Sequence, residues 1–285
     1  MIKLSKKNCG LELTTDELRE SQLKMLNEII KVCEKNNLNY YLSGGTLLGA
    51  IRHEGFIPWD DDIDINMPRK DCVKLQEITQ GKIGEYYLQK PEPITIYEAE
   101  SWRLYDSKIV IENSISKTIK IPYYMPSFID IFPIEGLPET MKDTEKHYKK
   151  LRINRVMINS MRGNIWHGSS LIAKLVHLLL RPIAKIIGYK FWYNNIQKIV
   201  TKYSFDDCEY IGVMTAPVHT IEERVKKEEY IPQIKVKFEN LIVNAPKNYD
   251  TYLSQLYGND YMDIPPKEKQ KSHHGFKIYE FKEEE

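Results

Sequence analysis

Apolar positions along the chain switch repeatedly between a helical spacing and strict alternation. Leu18, Met25, Leu26, Ile29, Ile30 and Cys33 recur every three or four residues behind Thr14-Thr15-Asp16-Glu17, a capping box. A helix is predicted there, closed by Asn36-Asn37. Tyr40-Tyr41-Leu42 reads as a short strand, and Pro68 opens a helix from Arg69 to about Ile78. Residues 86–89, 109–111 and 209–213 read as further strands, and 234–243 as a hairpin turning at Glu239-Asn240. Residues 127–132 alternate cleanly, with Phe128, Asp130 and Phe132 on one face and Ile129 and Ile131 on the other. Residues 143–162 are helical and basic, and 249–257 form a last helix stopped at Gly258. Strands and helices interleaved in this way predict an α+β fold: a mixed β-sheet core flanked by helices.

Residues 171–187 form a further helix, with Lys174, His177, Arg181 and Lys185 in one basic stripe and Pro182 expected to kink it. Such a helix either packs on the protein with its stripe in water or lies at a membrane interface with the stripe on anionic headgroups. The expected organisation is a catalytic core over 1–140, a helical insertion over 141–205, and strands, helix and tail over 206–285 that pack back on the core.

One stretch is far more concentrated than the rest. Between Ser43 and Ile65 a Gly44-Gly45 turn and a short apolar helix lead to Asp60-Asp61-Asp62-Ile63-Asp64. Read as a strand over 59–65, it puts Asp60, Asp62 and Asp64 on one face and Asp61, Ile63 and Ile65 on the other. Like charges at that spacing repel unless a cation lies among them, and oxygen ligands favour Mg²⁺ or Mn²⁺. A solvated acidic turn is the plain alternative, but it gives no reason to interleave isoleucines. An EF-hand is disfavoured because its glycine and distal glutamate are missing. The diglycine turn before a helix lets backbone N–H groups approach an anion, although neither GxGxxG nor GxxxxGK[ST] is present. Turn and acidic strand together suggest a site for a phosphate and a metal. Asp62 and Asp64 are the expected ligands, with Asp60 in support. Gly44, Gly45 and Thr46 face the phosphates, and Arg52 is either a bidentate phosphate ligand or a surface partner of Glu54. Asp130, central in an apolar strand, is costly to bury alone and is either a partner in this site or an edge residue facing water.

Composition narrows the reading. With 285 residues the chain can bury a substantial core, and 41 Lys and Arg against 40 Asp and Glu leave a net charge of +1. No global field therefore points to nucleic acid. Four scattered cysteines, without CxxC, read as reduced thiols of a cytosolic protein. No signal-peptide core and no run of 18 apolar residues is evident, so the expected location is the cytoplasm, including the inner face of the membrane.

The string Gly44 to Ile65, GGTLLGAIRHEGFIPWDDDIDI, resembles the LicD family of the nucleotidyltransferase-fold superfamily, whose core fukutin-related proteins share. The likeness continues through Phe128 to Pro133, Val236 to Asn240, Leu256-Tyr257-Gly258, and Pro265-Pro266 with His273. It implies phosphocholine transfer from CDP-choline to a hydroxyl of a bacterial surface glycan or its lipid-linked precursor (teichoic acid, lipopolysaccharide or capsule). It makes Asp130 the third carboxylate, as metal ligand or base, and adds Lys108 and His273 at the phosphates. A choline headgroup needs aromatic faces, for which Trp59, Trp102, Tyr123 and Tyr124 are the first to test. The alternatives are another CDP-linked donor (ribitol phosphate, phosphoethanolamine), a nucleotidyltransferase using a triphosphate, and a silent glycan-binding scaffold.

Overall fold

The computed structural model describes residues 4–93, 100–113, 123–161, 170–215, 220–272 and 275–283. A first strand, β1 (Cys9–Leu13), leads into α1 (Thr15–Asn36). The capping box forms as expected: Glu17 N donates to Thr14 Oγ1 at 3.2 Å and Thr14 N to Glu17 Oε2 at 2.7 Å. Asn37 ends the helix in the left-handed region at φ 52°. The stripe Leu18 to Cys33 is buried along one face.

Next come β2 (Tyr41–Leu42), α2 (Gly44–His53), β3 (Asp64–Pro68), α3 (Arg69–Thr79), β4 (Lys82–Ile83), β5 (Tyr86–Gln89), β6 (Trp102–Asn113) and β7 (Tyr123–Leu137). The expected strand at 59–65 starts only at Asp64; residues 60–63 form a loop before it. Several carbonyls of this loop are taken by side chains of α1. Arg19 Nη2 donates to the carbonyl oxygens of Pro58 at 2.9 Å and Asp60 at 2.6 Å, and Gln22 donates to that of Asp61 at 3.2 Å.

Three helices follow, α4 (Met141–Met161), α5 (Leu171–Ile187) and α6 (Tyr189–Val200). They enclose their own apolar cluster around Tyr148, Leu151, Ile158, Ala184, Ile196 and Val200. Helix α5 does not present its basic stripe as expected. Lys174, His177 and Arg181 are half-buried and His177 Nδ1 lies 2.8 Å from Ser160 Oγ, while Leu179 and Ile186 are 70% and 85% exposed.

The chain finishes with β8 (Tyr210–Val213), β9 (Val225–Lys226), α7 (Lys227–Tyr230), β10 (Ile234–Phe238), β11 (Leu241–Ala245), α8 (Tyr249–Tyr257) and β12 (Lys277–Phe281). β10 and β11 make the expected hairpin, with Glu239 at φ 54° in the turn. Among the described residues, the other strands join one sheet, ordered β1-β12-β6-β7-β3-β2, with β5–β4 and β8–β9 appended to β6 and β7. The fold is therefore α+β with a mixed sheet, since β3 and β7 run parallel and the remaining pairs antiparallel. β12 lies between β1 and β6, so the end of the chain is an interior strand of the sheet rather than a frayed tail. No described helix is long and apolar enough to cross a membrane.

A buried polar knot sits beneath β3. Asn66 Nδ2 donates to Tyr230 Oη at 3.1 Å and Tyr252 Oη at 3.4 Å, and Tyr252 Oη donates to Glu223 Oε2 at 3.1 Å. Burial pushes the Glu223 carboxyl from its ordinary 4.5 up to about 8. Between those values the folded protein keeps a proton that the unfolded chain releases, so this group costs stability as pH rises through that window. Glu223→Gln removes the titration. Its stability relative to wild type is expected to rise with pH, by up to about 1.4 kcal/mol per unit across the window. Urea denaturation at stepped pH measures this, and parallel profiles for the two proteins contradict it.

Candidate active site

The site is built where β3 meets β7. These strands run parallel in a register that sets Asp64 directly beside Asp130, and Asp130 N donates to the Ile63 carbonyl at 3.3 Å. Neighbouring strands lie ~4.8 Å apart, so two carboxylates from separate strands leave one face together. Asp62 and Asp60, from the loop before β3, come close enough to act on Asp64. One carboxylate oxygen from each of Asp60, Asp61 and Asp62 lies within 4.8 Å of the others. The alternation expected for 59–65 had turned Asp61 away; with no strand at 60–63, its carboxylate joins the cluster.

Helix α2 is fastened to this corner at its first turn. Ser43 N donates to the Asp64 carbonyl at 3.1 Å, and Asp64 N donates to Thr46 Oγ1 at 2.9 Å. Gly44 adopts φ +46°, a conformation natural for glycine, and a Cβ on Gly45 would lie 2.9 Å from Asp60 Oδ2. The diglycine is thus required twice over, once by the turn and once by a carboxylate lying against the helix start. The positive end of the helix faces the acidic group.

Charge crowding follows from this geometry. Burial, then Asp62, Asp130 and Asp60, raise the Asp64 carboxyl well above the usual carboxylate range, and Arg103 pulls the other way. Arg103, on β6 opposite Asp130, donates through Nε to Asp130 Oδ1 at 2.7 Å and through Nη2 to Oδ2 at 3.2 Å. Its guanidinium also covers the Phe128 ring at 4.2 Å, and Ser101 Oγ donates to Asp130 Oδ1 at 2.8 Å. Sequence reasoning named neither Arg103 nor Ser101. Their place depends on the β6–β7 register, and the alternation of Phe128 and Asp130 was the only local hint.

The other expected residues separate. Arg52 donates to the carbonyls of Tyr261 at 2.8 Å and Asp263 at 3.0 Å, fastening the segment after α8, while Glu54 pairs instead with Lys237 at 2.7 Å. Lys108 is exposed and ion-paired with Glu85. It sits at the bulge in β6, where its N–H donates to Asp106. Neither is seen in contact with the acidic group. His273 lies outside the described residues, but its neighbour Ser272 donates to Asp61 Oδ2 at 2.7 Å, so the tail does return to the site. Trp59 stacks near His53 and Arg52, and Trp102 lies under Arg69. Tyr124 faces Glu112, and the Tyr123 side chain is outside the described set.

A match to the family described as LicD/FKTN/FKRP, nucleotidyltransferase domain, covers residues 37–168 and so includes Asp60, Asp61, Asp62, Asp64 and Asp130. The lipopolysaccharide cholinephosphotransferase LicD of Haemophilus influenzae is 31% identical over 269 residues, 90% of this chain and 96% of that protein. This chain belongs to the LicD family. Two shorter matches accompany it. An uncharacterised protein of Rickettsia prowazekii is 43% identical over 58 residues (20% of this chain, 22% of its own length), and the human ribitol 5-phosphate transferase FKRP is 36% identical over 56 residues (20% and 11%).

The residues present suit a divalent cation. The donors are all oxygen, Asp61 Oδ1 is buried without a hydrogen-bond partner, and Asp62, Asp130 and Asp60 crowd the Asp64 carboxyl. Magnesium or manganese at a hundredfold excess over its dissociation constant is expected to stabilise the protein by about 2.7 kcal/mol, a rise of several degrees in Tm. Asp64→Asn is expected to melt higher than wild type in EDTA, because one repelling charge is gone, and to lose most of the metal shift. Thermal scans with and without metal check both; an equal shift in wild type and variant refutes the assignment.

Proposed function

We propose that the chain is a phosphotransferase that moves phosphocholine from CDP-choline to a hydroxyl of a bacterial surface glycan or its lipid-linked precursor. The observation that carries this is the LicD relationship over 90% of the chain, joined to a carboxylate cluster lying at a helix N-terminus. A diphosphate donor is an anion, and the first turn of α2 with its diglycine offers backbone N–H groups to it. Asp62 and Asp64, with Asp60 or Asp61 beside them, are the ligands for Mg²⁺ or Mn²⁺. When bound, such an ion neutralises charge on the diphosphate and on the departing nucleotide.

The remaining roles fall to residues of this chain. The acceptor hydroxyl oxygen attacks the β-phosphorus, the bond to the bridging oxygen breaks, and CMP departs with that electron pair. Asp130 orients the acceptor and receives the hydroxyl proton, while Arg103 and Ser101 hold its carboxyl in one orientation. Attack at the α-phosphorus of a triphosphate, with loss of pyrophosphate, is the other register this fold can use. The end-to-end match with a cholinephosphotransferase favours the first register and favours choline over ribitol, for which the FKRP match spans 20% of the chain.

The test offers CDP-choline, CDP-ethanolamine and CDP-ribitol separately with Mg²⁺ and a lipopolysaccharide or teichoic acid acceptor, and follows CMP. Release is expected with CDP-choline, and Asp64→Ala is expected to lower it at least about a hundredfold. Release of CMP only from CDP-ribitol, or of pyrophosphate from a triphosphate, overturns the choline assignment. Turnover unaffected by Asp64→Ala overturns the site.

A further inference from the structure

Helix α5 is inverted relative to an ordinary surface helix. Leu171, Leu175, Leu179, Ile183 and Ile186 recur at three- and four-residue spacing and are exposed, at 77%, 59%, 70%, 49% and 85%. On the opposite side Ala184 is fully buried against the α4–α6 cluster, with His177 beside Ser160. A water-facing helix would place these leucines and isoleucines against the protein. Phe191, at the start of α6, extends the exposed apolar surface at 48%.

The surrounding charge is equally one-sided. From Lys146 to Phe205 the chain has twelve lysines and arginines and no aspartate or glutamate, although the whole chain is nearly neutral. Lys185 and Lys190 are exposed close to the apolar face, and Lys174 and Arg181 are half-buried along the helix's other side. A second copy of this chain fits such a surface badly, because it would bring two acid-free cationic segments together. An anionic lipid surface fits both halves of the pattern. Apolar side chains enter the boundary between headgroups and acyl chains, and long cationic side chains meet the phosphates.

We propose that α5, with the start of α6, is an in-plane membrane anchor that docks the protein on anionic phospholipid through its leucine and isoleucine face. Helix α4, against which α5 packs, is tied to the acidic cluster. Arg155 on α4 pairs with Glu100 at 2.6 Å, and the next residue, Ser101, donates to Asp130. A docked enzyme would meet an acceptor that is itself held in the bilayer. The surface is argued without reference to the reaction, so it stands or falls separately from the transferase reading.

Flotation of the full-length protein with phosphatidylcholine vesicles, with and without phosphatidylglycerol, is the test. Binding is expected with phosphatidylglycerol and weak without it, and it should fall steeply as salt is raised from about 0.1 M to about 1 M. Leu179→Asp with Ile186→Asp, both at exposed positions, should lower the bound fraction at least about tenfold at unchanged circular dichroism. Absence of wild-type flotation overturns the proposal, as does equal binding to both vesicle types. So does a folded double variant that floats like wild type, or a concentration-dependent dimer in light scattering that the double variant abolishes. Should the double variant misfold, the wild-type lipid and salt dependence decides alone.

Discussion

The parallel pairing of β3 with β7 forces two carboxylates, Asp64 and Asp130, to leave adjacent strands side by side. At ~5 Å and an effective dielectric near 20, two such charges repel by about 3 kcal/mol, and Asp60 and Asp62 add to the same field. Much of the local structure answers that cost. Thr46 and Ser43 clamp the start of α2 to the backbone of Asp64, which turns the helix's positive end toward the group. Gly45 leaves room for the Asp60 carboxylate, and Arg103 places a fork of positive charge on Asp130. Arg103 opposes the crowding at Asp64, and the oxygen donors gathered here suit a cation.

The end of the chain completes this corner. β12 is hydrogen-bonded on both sides, to β1 and to β6, so the segment before it must cross the molecule near the site. Ser272 reaches Asp61, and Arg52 at the end of α2 binds the carbonyls of Tyr261 and Asp263. Arg52 is thus a structural strap between two parts of the chain more than 200 residues apart. A basic residue about two turns beyond a diglycine invites a phosphate-binding reading. Carbonyl oxygens of a folded-back tail are an equally good partner for its fork, and only the structure distinguishes them.

What could be read from sequence divides along the range of the forces involved. α1 carries its own capping box, and α5 and α8 carry their periodicity with a glycine just beyond each end, so their limits at Thr15–Asn36, Leu171–Ile187 and Tyr249–Tyr257 follow from local chemistry. The hairpin of β10 and β11 turns where Glu239-Asn240 invites it. The strand expected over 59–65 begins only at Asp64, because alternating Asp and Ile is as compatible with a loop as with a strand. Arg19 and Gln22, about 40 positions earlier, decide the matter by taking the carbonyls that a neighbouring strand would have used. Arg103 and Ser101 at Asp130, and the interior position of β12, likewise depend on long-range register that no local pattern encodes.

A net charge near zero conceals two opposite imbalances, and both point beyond the chain. The site crowds carboxylates together, and the stretch from Lys146 to Phe205 gathers cations with no acids. Neither could satisfy the other, because the insertion's Arg155 is committed to Glu100 and the half-buried side of α5 faces its own helical cluster. An enzyme working on a small soluble acceptor has no use for an outward-facing leucine stripe, which invites aggregation. An enzyme whose acceptor is held at a lipid surface gains by it, since docking confines the search to two dimensions. The link through Arg155, Glu100 and Ser101 ties helix α4 of this same cationic stretch to Asp130.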